Sequence, residues 1–153
     1  MTSSLVHLRE VHADDLDAFF EHQTDAEAVA MAAFPARDRQ AFLAHWARVL
    51  DDPRNRTWTI LVAGDVAGYI ACFPQHDVLN VGYWLGRPFW GRGIATAALA
   101  QLLGEVPARP LFARVAEHNV GSRRVLEKCG FAQIETVPPG PDDDVTELLL
   151  RIE

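Results

Sequence analysis

The sequence predicts an α+β fold, a mostly antiparallel sheet with one parallel pair at a βαβ crossover. Three observations carry this. Residues 57–63, 66–73 and 78–85 are successive runs rich in β-branched and aromatic side chains. Only Gly64-Asp65 and Pro74 to Asp77 separate them, which is the punctuation of an antiparallel meander. The third run then passes through a glycine-rich turn into an Ala/Leu-rich helix, after which Leu111 to Ala116 reads as another strand. Strand, helix, strand in that order gives a right-handed crossover, with the 78–85 and 111–116 strands parallel. Finally, the segments before the meander carry apolar residues at helical rather than strand spacing.

The elements follow in order. Leu5 to Val11 alternates apolar and polar residues, as a strand does. Asp14 and Asp15 open a helix whose Leu16, Phe19 and Phe20 share one face to about Gln23. A short helical segment spans Ala26 to Ala33, and Phe34-Pro35 breaks it. Asp38 caps a helix over Arg39 to Leu50, closed by Asp51-Asp52-Pro53. Trp46 falls at core spacing on that helix, with a substrate pocket as the alternative. After the meander comes a helix from about Gly91 to Leu103. Asn119 caps another over Val120 to Lys128, with Gly130 at its left-handed stop. Strands at Phe131–Val137 and Val145–Ile152 flank a Pro- and Asp-rich loop.

With 153 residues the chain is long enough for one domain, 1–153, with a real core. Apolar residues make up 49% and charged residues 23%, a globular balance. A net charge of −7 argues against general nucleic-acid binding, which needs a basic face. Two local basic patches remain, Arg87 with Arg92, and Arg123 and Arg124 with Lys128. Cys72 and Cys129 read as reduced, buried thiols. The six histidines are scattered and no Cys-x-x-Cys or His-Glu-x-x-His occurs, so no metal site is expected. No apolar run is long enough for a signal-peptide core or a bilayer span, so a cytoplasmic protein without a membrane partner is expected.

The stretch with chemical content is Val81 to Leu99. A strand feeding a glycine-rich turn that opens a helix is an anion site, because the first helical N–H groups lack intrahelical partners and the helix dipole is positive there. Arg92 adds charge and Thr96 a hydroxyl. The turn fits neither Gly-x-x-x-x-Gly-Lys-Ser/Thr nor Gly-x-Gly-x-x-Gly, so neither a P-loop nor a dinucleotide-binding turn is indicated.

Trp90-Gly91-Arg92-Gly93-Ile94-Ala95 resembles the acetyl-CoA-binding motif of the GNAT-type N-acetyltransferases. Gly93 and Ala95 match that motif and Trp90 stands where Gln or Arg is common, as in the branch resembling RimJ and RimL. Asn119-Val120-Gly121-Ser122 through Lys128-Cys129-Gly130-Phe131, and Gly82-Tyr83-Trp84-Leu85, are similar to further segments of that branch. The resemblance implies a GNAT-like fold with helices on both faces and the parallel pair splayed at one end. It implies that pantetheine pairs with the backbone of Trp84, Leu85 and Gly86. The turn and first helical residues Gly91, Arg92, Gly93, Ile94, Ala95 and Thr96 would hold the pyrophosphate, Arg87 and Arg92 would meet phosphates, and Asn119 would reach the pantetheine arm.

The reaction implied is attack of an amine on the thioester of acetyl-CoA. The acceptor is a small-molecule amine or a protein N-terminus, and the protein a monomer or homodimer. Ser122 occupies the serine position of the RimL-like pattern and is the expected catalytic donor to the leaving thiolate, with a helix-cap role as the alternative. Met31, Phe34 and Trp46 are candidates for the acceptor pocket. Two departures favour a second reading, a CoA-binding module with little or no transferase activity. The helix after Asn119 lacks the tyrosine many relatives carry there. Asn80 stands where relatives often have a glutamate base; His76 or Asp77 could serve only through water and read as turn residues.

Overall fold

The structure is a computed structural model and describes residues 5–32, 37–141 and 144–153. The seven strands are β1 (Val6–Glu10), β2 (Arg56–Val62), β3 (Asp65–Gln75), β4 (Val78–Leu85), β5 (Leu111–Ala116), β6 (Ala132–Val137) and β7 (Glu147–Ile152). The helices are α1 (Leu16–Gln23), α2 (Ala26–Ala32), α3 (Arg39–Asp51), α4 (Ile94–Glu105) and α5 (Val120–Lys128). One sheet takes all the strands in the order β1-β2-β3-β4-β5-β7-β6. Every neighbouring pair is antiparallel except β4 and β5. The α+β architecture and the parallel crossover pair are therefore as the sequence predicts. Phe34 and Pro35, expected to end the second helical segment, lie outside the described residues.

The local differences have local causes. The first hairpin turns at Ala63-Gly64 rather than Gly64-Asp65; both residues have positive φ, 49° and 89°, as a two-residue hairpin requires. The second turns at His76-Asp77, φ 53° and 63°, so Pro74 and Gln75 still belong to β3. Helix α4 starts at Ile94, three residues later than expected, because Gly93 is its left-handed N-cap.

Adjacent residues of β3 divide the apolar interior. Tyr69 faces α1 and α3, where Phe19, Phe42 and Trp46 form an aromatic cluster. Ile70 points to the opposite face and joins the main core with Ile60, Val81 and Leu111. Ile94, Ala98, Leu99 and Leu102, one stripe of α4, are buried in that core. Helices thus cover both faces. Trp46 is buried, its ring edge-on to Tyr69 at 4.8 Å between centroids. Its place is the core, and the acceptor-pocket alternative is corrected.

Asp15 is more than the helix-start signal it resembles. Its carboxylate is buried and accepts from Arg9 at 2.8 and 2.9 Å, from Thr59 at 2.6 Å and from the His12 N–H at 2.8 Å. Burial opposes its ionisation. The bonds from Arg9, Thr59 and His12 outweigh burial and hold the carboxyl down at about 2. A folded value below the unfolded one stabilises the fold above about pH 4, and this contribution disappears as pH falls through about 2. Asp15→Asn should cost about 2 kcal/mol at pH 7 and flatten the acid limb of the stability curve. Denaturant melts from pH 7 to pH 2 check this. An unchanged acid limb in the variant would assign acid sensitivity to other carboxylates.

Candidate active site

Strands β4 and β5 are registered at Asn80 and Phe112. Beyond that point β5 continues against β7 as far as Ala116, and β4 against β3 as far as Leu85. The edge of β4 that faced β5 now borders a groove of 730 Å³. Tyr83, Trp84 and Leu85 form its β4 wall. Gly91, Gly93, Ile94, Ala95 and Thr96 form one end. Asn119, Ser122, Arg124, Val125 and Lys128 come from α5 and its cap. Ala28, Met31 and Ala32 of α2 close over it. Met31 is therefore at the groove, whereas Phe34 lies outside the described residues.

The glycine turn is shaped for an anion. Gly91 and Gly93 have φ of 72° and 75°, a conformation costly for any other residue, and a Cβ at either would meet nothing within 4 Å. The first bond of α4 runs from the Ala97 N–H to the Gly93 carbonyl. Ile94, Ala95 and Thr96, whose amides precede it, line the groove end. Trp90 ties this turn to the strand, its indole N–H donating to the Leu85 carbonyl at 3.0 Å. These residues fit the pyrophosphate and pantetheine arm of CoA: a cradle that side chains would fill, and a strand edge open to pairing.

Three of the residues expected to bind cofactor are elsewhere. Gly86 packs under the His22 ring, where a Cβ would come within 2.6 Å. Arg87 pairs with Glu27 on α2 at 2.5 Å and with Asp25 just before it at 3.5 Å, so its charge is already met by carboxylates. Arg92 lies over the Phe89 ring at 5.7 Å. None of the three lines the groove. The cations at the groove are instead Arg124 and Lys128, one turn apart on α5. Their i, i+4 spacing was the available signal.

Ser122 and Asn119 are where the sequence puts them. Asn119 Oδ1 accepts from the Ser122 N–H at 3.2 Å, capping α5. The Ser122 hydroxyl meets the Tyr83 hydroxyl at 2.6 Å. Tyr83 comes from β4 and Ser122 from α5, so this contact joins the two walls of the groove. Burial pushes the Tyr83 phenol up to about 12, the Ser122 bond pulling the other way. Asn80 is buried and donates to the Gln75 and Val78 carbonyls at 3.0 and 3.1 Å, which fastens the hairpin turn. Trp84 Nε1 and His22 Nδ1 are buried without a hydrogen-bond partner among the described residues. Burial lowers His22 below its ordinary value. Both cysteines are free, and no group of metal-ligating side chains occurs among the described residues.

The acetyltransferase (GNAT) domain family matches residues 6–132. The protein belongs to this family and is by class an acetyl-CoA-dependent N-acetyltransferase. A relative is the uncharacterized N-acetyltransferase YycN of Bacillus subtilis, 28% identical over 65% of this chain and 69% of that protein. Among solved structures, the spermidine N-acetyltransferase of Vibrio cholerae in complex with CoA and spermine superposes with a TM-score of 0.83. It is 14% identical over 97% of this chain and 95% of that one. RimJ of Mycobacterium smegmatis in complex with CoA-disulfide superposes at 0.81, with 21% identity over 99% and 83%. At these identities the two structures establish the shared fold.

Replacing Gly93 with valine should weaken CoA binding about tenfold or more, because the left-handed backbone is strained and the new side chain enters the cradle. Calorimetric titration with CoA measures it. Wild-type affinity in the variant would remove the turn from the site.

Proposed function

We propose that the protein transfers the acetyl group of acetyl-CoA to the α-amine at the N-terminus of a peptide or protein, by direct attack. The observation supporting this is a single groove running from an anion cradle, along an open strand edge, to a serine hydroxyl. Pyrophosphate would sit at the Gly91–Thr96 turn, with Arg124 and Lys128 in reach of phosphates, and pantetheine would pair with β4. The amine nitrogen attacks the thioester carbonyl carbon, the C–S bond breaks, and its electron pair goes to sulfur. Ser122 donates to that sulfur as charge develops. Among the described residues no carboxylate lines the groove, which favours an α-amine. Asn80 occupies the likeliest place for one and is committed to the turn. An α-amine with a pKa of about 8 is substantially neutral at pH 7.5, whereas an alkyl amine near 10.4 is about 0.1% neutral and needs a base. We place the protein in the cytoplasm; no described helix is long and apolar enough to cross a membrane.

Release of CoA thiol should be faster with N-terminal peptides than with spermidine at pH 7.5, and kcat/KM should rise with pH until the peptide's own amine is neutral, near pH 8. A preference for spermidine would move the acceptor to small amines. Thermal stabilisation by acetyl-CoA without turnover on any acceptor would favour the binding-module reading.

Ser122→Ala should lower kcat about tenfold or more while leaving the affinity for acetyl-CoA within about twofold. Steady-state kinetics and calorimetry separate the two effects. Equal turnover would leave Ser122 a helix-cap residue only.

A further inference from the structure

We propose that Tyr83 is a positioning residue for acyl transfer: its phenol donates to Ser122 Oγ, and this leaves the serine's own proton aimed at the departing sulfur. The proposal rests on the reading of Ser122 given above.

The two hydroxyls come from opposite walls of the groove, 39 residues apart in sequence, and meet at 2.6 Å. Distance alone allows either to donate. Chemistry decides the direction. A phenol is a stronger acid than an aliphatic alcohol, and the alcohol oxygen is the better acceptor, so the phenol gives its proton to the bond. A serine hydroxyl has one proton and two lone pairs. If it donated to Tyr83, nothing would remain for the sulfur. With the phenol as donor, the serine keeps its proton for a second partner.

The surroundings hold this arrangement. Burial pushes the phenol up to about 12, so Tyr83 remains a protonated donor across the neutral range. The Tyr83 ring packs against the main core, which fixes its reach. Asn119 Oδ1 grips the Ser122 N–H from the other side, so the first turn of α5 is set before any ligand arrives. Tyr83 and Ser122 both line the groove beside the open edge of β4. Tyr83 shares its face of β4 with Val81 and Leu85, whose side chains are apolar and cannot make the bond.

In the transfer step the amine nitrogen bonds the acetyl carbon, the C–S bond breaks and sulfur takes the electron pair. Ser122 O–H hydrogen-bonds the thiolate. The amine loses one proton to solvent, Ser122 keeps its proton in the hydrogen bond, and sulfur takes one from solvent, so CoA leaves as the thiol. Tyr83 keeps its proton throughout.

The test uses CoA itself, so it does not depend on knowing the acceptor. The ionisation of the bound thiol is followed by thiolate absorbance against pH, with the desulfo-CoA complex subtracting the protein's own groups. Wild type should hold the bound thiol about one pH unit lower than Ser122→Ala does, a tenfold change in the ionisation constant. Tyr83→Phe, which keeps the ring volume, should lose most of that difference, and the double variant should lose no more than Ser122→Ala. With a peptide acceptor, Tyr83→Phe should lower kcat while KM for acetyl-CoA stays within about twofold. Tyr83→3-fluorotyrosine, a more acidic donor, should lower the bound thiol further, and it tests the proposal even if Tyr83→Phe does not fold. A Tyr83→Phe complex titrating as wild type beside a raised Ser122→Ala complex, or no response to fluorination, overturns the role of Tyr83 and spares Ser122. Both variants titrating as wild type overturns the Ser122 reading and this proposal with it, as does a wild-type protein that fails to bind CoA.

Discussion

The parting of β4 from β5 is the constraint on which the rest of the molecule depends. A parallel pair held at Asn80 and Phe112 and then released leaves a strand edge with backbone groups to satisfy. Past that point each strand keeps the partner on its other side. β3 runs beside β4 as far as Leu85, and β7 runs beside β5 as far as Ala116. Gly68 on β3 tightens the arrangement, since a Cβ there would lie 2.0 Å from the Trp84 carbonyl. The strand end that walls the groove is pressed against its neighbour as only glycine permits.

The elements around the groove are tied to one another more than to the groove itself. Trp90 fastens the glycine turn to β4 through the Leu85 carbonyl. Arg87 holds the start of α2 through Asp25 and Glu27, and His118 bonds the Ala30 carbonyl at 2.9 Å near the other end of that helix. These exposed pairs contribute little to stability individually. Their effect is geometric: α2 is set across the groove. A cation expected to meet phosphate thus serves in the frame, while Arg124 and Lys128 are the cations that line the groove.

Most of the architecture was legible in the sequence because periodicity and turn chemistry are local. The meander, the crossover, the Asn119 cap and the left-handed Gly130 were all readable from residue types within a few positions. The misreadings had two origins, one local and one not. Ala63 carries a positive φ that its chemistry does not advertise, so the first hairpin turn fell one residue early. Asp15 looks like any acidic residue at a helix start, yet its partners Arg9 and Thr59 come from two different strands. No window of sequence contains that network.

The sequence by itself determined the element order, the anion turn with its two glycines, and the family, because those depend on short-range backbone geometry and on motifs at fixed spacing. The tertiary structure alone decided which charges remain for a ligand and which are consumed internally, since that depends on contacts between elements distant along the chain. It moved Arg87 and Arg92 out of the groove and Trp46 into the core. It also brought Tyr83 to Ser122, because a strand's alternation fixes where a side chain points but only packing fixes what it meets.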